Sequence, residues 1–152
     1  MEEIISPMSG KVLSIEEVDD PVFADKISGD GIAVLLDSPT VLAPISGEIS
    51  VFFETKHAFM ITSDSGAQVL VHIGLDSIIM EGVGITAFKE RGERVEKGAP
   101  VLEIDLPFFK RRRINLVSPI LIVNYDELKK LEYKNIGNEV EAGKDVVLNF
   151  EM

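Results

Sequence analysis

The chain has 152 residues, 45% hydrophobic and 27% charged, which is enough for one domain with a sizeable core and too evenly mixed for a disordered segment. Acidic residues outnumber basic ones by 26 to 15, and the resulting net charge of −11 repels nucleic-acid phosphates and anionic lipid. Cysteine is absent, which excludes disulfides, thiolate metal sites and a cysteine nucleophile.

The acidic opening Met1-Glu2-Glu3, and the lack of any apolar run near the roughly 18 residues of a spanning helix, lead to the expectation of a soluble cytoplasmic protein. Glycines and prolines recur about every ten residues and separate short stretches rich in Val, Ile, Leu and Phe, the spacing of an antiparallel β-sandwich or barrel. Strands are expected over Lys11–Ile15, Ile32–Leu36, His57–Thr62 and Ala67–Ile73. Ser28-Gly29-Asp30-Gly31 is a glycine-rich turn without the Lys and Ser/Thr of a phosphate-binding loop. Lys110-Arg111-Arg112-Arg113, the only basic run, reads as a solvated loop, and Asp126–Leu131, acidic then basic, as a short helix.

Two internal echoes are present. Ser6-Pro7-Met8-Ser9-Gly10-Lys11-Val12 returns 37 residues later as Ala43-Pro44-Ile45-Ser46-Gly47-Glu48-Ile49. Gly92-Glu93-Arg94-Val95-Glu96-Lys97-Gly98 returns 45 residues later as Gly137-Asn138-Glu139-Val140-Glu141-Ala142-Gly143. They are read as the trace of a duplicated hairpin unit, and since no linker-like stretch divides the chain, residues 1–152 are expected to form a single domain.

The only two histidines, His57 and His72, flank a single hairpin whose turn is Ser63-Asp64-Ser65-Gly66. A two-residue loop at Asp64-Ser65 sets the imidazoles opposite one another, with Cβ atoms about 4.5–5.5 Å apart. A three-residue loop using Gly66 as a bulge shifts the register by one and sends them to opposite faces. Thr55 lies two residues before His57 and can hold its ring in one tautomer, while Gly74 and Asp76 follow His72 where the chain can bend and bare its backbone groups. Apolar residues on both faces fit either a shallow docking depression or a strand buried on both sides.

The segments Glu54-Thr55-Lys56-His57-Ala58-Phe59, Ser63-Asp64-Ser65-Gly66 and Val71-His72-Ile73-Gly74-Leu75-Asp76 closely resemble the glucose-type enzyme IIA domain of the bacterial phosphoenolpyruvate-dependent sugar phosphotransferase system. So do Val22–Ile27, Gly29–Ala33, Ala43-Pro44 and Glu103–Pro107, in the same order, and the likeness runs from about Ile5 onward. The resemblance implies an all-β antiparallel sandwich of duplicated hairpins. It implies that His72 carries the phosphoryl group, that His57 hydrogen-bonds it, and that Thr55 orients His57. Gly74 would accept from the second nitrogen of His72, and Asp76 would line the site. Val22, Phe23, Ile27, Phe53 and Leu70 match positions around the docking depression. The donor would be the carrier HPr and the acceptor an enzyme IIB domain of a sugar permease, with no cofactor required. His57 and His72 also offer a zinc site shared between molecules if a partner supplies a carboxylate.

In this chain Leu70 and Ile73 stand where well-known members carry aromatic residues, Ile79 where some carry an acid, and Lys110–Arg113 where the stretch is usually more acidic. Two other readings remain at this stage. One is a zinc hydrolase of a related fold, although no H-x-H pair is present; the other is a regulatory binder controlled by phosphorylation.

Overall fold

Alternating patterns and regularly placed turns give fourteen strands: β1 (Glu2–Ile5), β2 (Gly10–Ser14), β3 (Asp30–Leu36), β4 (Thr40–Leu42), β5 (Gly47–Phe52), β6 (Ala58–Ser63), β7 (Gln68–His72), β8 (Ile85–Ala87), β9 (Arg94–Val95), β10 (Pro100–Ile104), β11 (Val117–Ile122), β12 (Lys130–Tyr133), β13 (Glu139–Val140) and β14 (Val146–Glu151). Two short helices, α1 (Pro21–Ala24) and α2 (Leu106–Arg111), complete the regular elements of a computed structural model that describes residues 1–152. Every strand pair is antiparallel, as expected for an all-β sandwich. An eight-stranded sheet runs β13-β2-β3-β11-β7-β6-β5-β9, and two three-stranded sheets, β1-β14-β12 and β4-β10-β8, pack with it.

The echoes become a structural repeat in the large sheet. Gly10 pairs with Val140 and Lys11 with Glu139 at one edge; Gly47 pairs with Val95 and Glu48 with Arg94 at the other. Each echo position therefore has its counterpart, and each edge carries one cross-strand pair of opposite charge. Both glycines are places where two backbones touch. A Cβ on Gly10 would lie 1.9 Å from the Leu35 carbonyl oxygen, and one on Gly47 2.2 Å from that of Thr62. The midline of the repeat falls between β11 and β7.

Thirty buried residues form one core on the inner side of this sheet, including Ile32, Val34, Phe59, Ile61, Val69, Val71, Ile120 and Phe150. Alternation sends the neighbouring residues to the outer side, where a second cluster of five, Ile15, Val18, Phe23, Ala33 and Leu121, holds α1 against the middle strands. Leu70 packs onto this cluster from β7. The outer face beside His72 is thus partly covered and partly open, which decides between the two burial patterns the sequence allowed.

Two expected elements differ. Asp126–Leu131 is not a helix: a single 3₁₀ turn covers Tyr125–Glu127, and Lys130–Tyr133 enters the sheet with Leu131 paired to Phe150. Fewer than two turns of helix cannot compete with a ladder that also seats Leu128 and Leu131 against the core. The basic run is not a plain loop either, because Lys110 and Arg111 form the last turn of α2. Asp105 caps that helix by accepting from the Phe108 amide at 3.1 Å, Phe109 anchors it in the core, and the cations suit its C-terminal end.

Because no side chain can shift a carbonyl that belongs to a paired strand, Gly10→Ala and Gly47→Ala should each lower the unfolding free energy by about 1–3 kcal/mol in urea denaturation.

Candidate functional site

The turn between β6 and β7 has the three-residue form. The Ser63 amide donates to the Ala67 carbonyl at 2.8 Å, the Gly66 amide to the Ser63 carbonyl at 3.0 Å, and Gly66 has φ +97°. His72 is consequently opposite Ala58, not His57. The histidines nevertheless meet, with ring centroids 5.1 Å apart and planes at 74°. His57 lies one residue outside β6, directly after Lys56 at φ +60°, so the strict alternation of the strand does not bind it. The small side chain of Ala58 leaves its ring room beside His72.

Each imidazole has one nitrogen engaged. His72 Nδ1 donates to the Gly74 carbonyl at 2.5 Å, and His57 Nδ1 is hydrogen-bonded to the Thr55 hydroxyl. Nε2 is the nitrogen left for chemistry on both rings. Phe53 stands edge-on to His57 at 4.9 Å and Phe23 edge-on to His72 at 5.2 Å, so the two imidazoles lie between two phenyl rings.

The bend after His72 has an identifiable cause. Odd-numbered positions along β11 direct their amides toward β7, a phase set by Val123, just past the strand's end, which donates to the Gln68 carbonyl at 2.8 Å. Pairing between the two strands ends at Ile120 and Val71, and the next position along sets Pro119 against His72. Proline has no N–H to offer the His72 carbonyl, so the ladder stops and β7 is free to turn away. Gly74 makes the turn at φ +68°, its amide donating to Ser118 Oγ at 2.9 Å, and a Cβ there would lie 2.6 Å from the Asn115 carbonyl oxygen. Asn115 also accepts from the Leu75 amide at 3.1 Å and donates to Asp76 Oδ1 at 3.0 Å.

Comparison with known proteins identifies the family. Residues 2–128 match the family described as phosphoenolpyruvate-dependent sugar phosphotransferase system, EIIA 1. The chain belongs to this family. The glucose-specific EIIA component of Buchnera aphidicola subsp. Baizongia pistaciae is 42% identical over 148 residues, covering 97% of this chain and 87% of the relative. That of Haemophilus influenzae is 39% identical over 146 residues, covering 96% and 87%. The solved glucose permease IIA from Mycoplasma capricolum superposes with a TM-score of 0.89 at 34% identity, covering 97% of this chain and 94% of that one. As an EIIA protein the chain is a phosphotransferase that relays phosphoryl groups in sugar uptake.

Around the paired histidines of this EIIA protein, Val22, Phe53 and Ile27 are exposed and Leu70 is half-buried, while Phe23 is only 6% exposed. Phe23 is therefore a wall behind His72, not open docking surface. Asp76 is exposed at the head of the following 3₁₀ turn, Ser77–Met80, whose Ile78 and Ile79 extend the apolar rim to Val83. Pro119, Ser118, Asn115 and Asp20 also shape the site, and sequence reading did not single them out. A proline inside a β-rich run was the signal available for the first.

Metal chemistry on this chain alone has little to build on. No group of three or more His, Cys, Asp or Glu side chains stands at metal-binding range, so the two imidazoles do not complete a zinc site by themselves. No helix is long and apolar enough to cross a membrane.

Both imidazoles favour the neutral state. Burial, and then the neighbouring charge of His72, lower the His57 pKa to about 4. Burial also lowers that of His72, against the opposing pull of the Gly74 carbonyl and the Asp20 carboxylate. Asp20 is held nearby because it caps α1, accepting from the Val22 amide at 3.0 Å.

An unperturbed histidine would put the loss of a nucleophilic imidazole near pH 6.5. Here the folded protein binds these protons later than the unfolded chain does. Unfolding free energy should thus be flat above pH 6.5 and fall as pH drops below it, and imidazole NMR titration should give His57 a midpoint near 4. A His57 midpoint at or above 6.5 would contradict the burial argument.

Proposed function

We propose that His72 is the phosphoryl-carrying residue, that it takes the group from the phosphohistidine of HPr, and that it passes the group to an enzyme IIB domain of a sugar permease in the cytoplasm, with residues 1–152 working as one domain. The observation that carries this reading is the Nδ1 hydrogen bond from His72 to the Gly74 carbonyl, which leaves a neutral Nε2 lone pair beside a second imidazole.

In the forward step the Nε2 lone pair of His72 attacks phosphorus in line. The bond from phosphorus to the donor imidazole breaks, and its electron pair returns to the donor nitrogen. The Nδ1 proton stays on His72, so the phosphorylated ring is cationic and the Gly74 carbonyl, 2.5 Å from that nitrogen, stabilises it. The Thr55 hydroxyl donates to His57 Nδ1, which places the ring proton on Nε2, where it can hydrogen-bond a phosphoryl oxygen. The Asp76 amide, free of a backbone partner at the head of its turn, supports the same group. Transfer between two imidazoles needs little covalent work from the protein; position and charge stabilisation carry it. Exposed Val22, Ile27 and Phe53 are the docking contacts, and Leu70 and Phe23 support them from below. The relay requires no cofactor, and zinc would need ligands from a partner.

The test is incubation with phosphoenolpyruvate, enzyme I and HPr, followed by intact mass. One acid-labile phosphoryl group should appear on the wild-type chain and be absent from His72→Ala. His57→Ala should still accept the group yet pass it to an enzyme IIB domain more slowly, by on the order of 10²–10³-fold. Onward transfer by that variant at the wild-type rate removes His57 from the mechanism. Because burial keeps His72 neutral, acceptance should hold its plateau through pH 6.5 and decline only below it, read from initial rates with HPr activity controlled at each pH.

A further inference from the structure

The four consecutive cations of Lys110–Arg113 are all exposed, and none makes an ion pair within 4.0 Å although the chain carries 26 carboxylates. Lys26, Arg94 and Lys144 do pair, with Glu16 and Asp30, with Asp64 and Glu96, and with Glu141. The remaining unpaired cations stand singly or as the couple Lys129-Lys130, so this run of four is the chain's one concentrated, uncompensated positive surface.

The run is also held in place. Arg111 and Arg112 each set a guanidinium 5.8 Å from the Phe108 ring centroid. That ring is wedged against Gly84, where an added Cβ would lie 2.8 Å from Phe108 Cδ2. Phe109 before the arginines and Ile114 after them are buried, and Arg113 ends the segment at φ +57°. Stacked guanidiniums keep their planar donor forks free, which suits carboxylates more than point-like cations would.

Position links the patch to the reactive histidine. Asn115, two residues past Arg113, bonds both Leu75 and Asp76 in the loop that follows His72. On its other side, Gly84 follows Val83 at the end of the apolar rim that starts at Ile78. Across the site, the α1 side carries Asp20 and the neighbouring Asp19 and Asp25. Asp76 and Glu81 are exposed along the same rim, so its charge is negative from α1 through the 3₁₀ turn and becomes positive only at Lys110–Arg113.

We infer that Lys110–Arg113 form a docking surface for a carboxylate-bearing segment of a protein partner in the relay, one that flanks that partner's own phosphoryl-carrying residue. The polarity of the rim then orients the partner as well as attracting it. An anionic bilayer is the poorer match. It would face the surrounding carboxylates of a chain of net charge −11 together with the patch, whereas an acidic protein segment can seat on the patch with most of those carboxylates screened beyond a Debye length of about 8 Å.

This inference rests on the relay reading, and one experiment separates the two. The K110Q/R111Q/R112Q/R113Q variant, with an unchanged urea midpoint, is compared with wild type in transfer from phospho-HPr and in transfer to a cognate enzyme IIB domain. One half-reaction should lose about tenfold or more in kcat/KM at low ionic strength, and should lose the decline with added salt that wild type shows. Equal kcat/KM and equal salt dependence in both half-reactions overturn the inference. Wild-type transfer rates combined with lost binding to phosphatidylglycerol vesicles overturn it as well, since the patch then serves a membrane. A wild-type chain that takes no phosphoryl group from active HPr sinks the relay reading itself, and that result needs no variant.

Discussion

The site depends on a single backbone oxygen. The Gly74 carbonyl fixes the tautomer of His72, and with it which nitrogen carries the proton and which keeps a free lone pair. It can do so because β7 ends at His72, and β7 ends there because Pro119 cannot donate across from it. Gly74 then occupies a backbone conformation and a gap beside Asn115 that no side chain would share. Ser118 takes the Gly74 amide, so the bend leaves that donor satisfied, and Asn115 holds the next two residues. The His72 imidazole is in this way positioned by a main-chain bend that the Ser118 hydroxyl and the Asp76 carboxylate brace.

Above that floor, the sheet sorts side chains by alternation. Val69 and Val71 enter the main core, while Leu70 and His72 face outward beneath α1. The helix is only four residues long and owes its place to contacts beyond its own hydrogen bonds. Phe23 is buried in the outer cluster, and Lys26, at φ +59°, bridges Glu16 and Asp30. Tyr133 OH donates to the same Asp30 at 2.5 Å, so a strand from the other sheet braces the segment. A rigid α1 is what lets Asp20 act on His72 as a fixed charge and Phe23 as a fixed wall.

Charge and burial then work against one another in a useful way. Burial favours neutral imidazoles on both residues, the form that the proposed transfer needs for attack by His72 and for donation by His57. In the proposed relay the phosphoryl group brings negative charge to His72, and only then does a cationic ring have compensation on both sides, from the phosphoryl oxygens and from the Gly74 carbonyl. The site is thus closer in charge to its loaded state than to a protonated empty one.

Much of this was legible in the chain itself. Turn spacing and short apolar runs specify an antiparallel β protein, and the echoes at Gly10 and Gly47 mark equivalent sheet edges because each position needs a residue without a Cβ. His57 and His72, as the only histidines, with Thr55, Gly74 and Asp76 at short offsets, marked the candidate site, and the structure brings these residues together. What tertiary structure alone decided was long-range. The register of the β6–β7 hairpin favoured the arrangement that should have separated the imidazoles, and a left-handed Lys56 reunited them. The role of Pro119 appears only when β11 is laid beside β7, and Lys130–Tyr133 becomes a strand only because β14 is there to pair with it. Spacing along the chain determines what each segment prefers, but a strand's neighbour, and hence the hydrogen bond it is denied or offered, is chosen by packing between residues far apart in sequence.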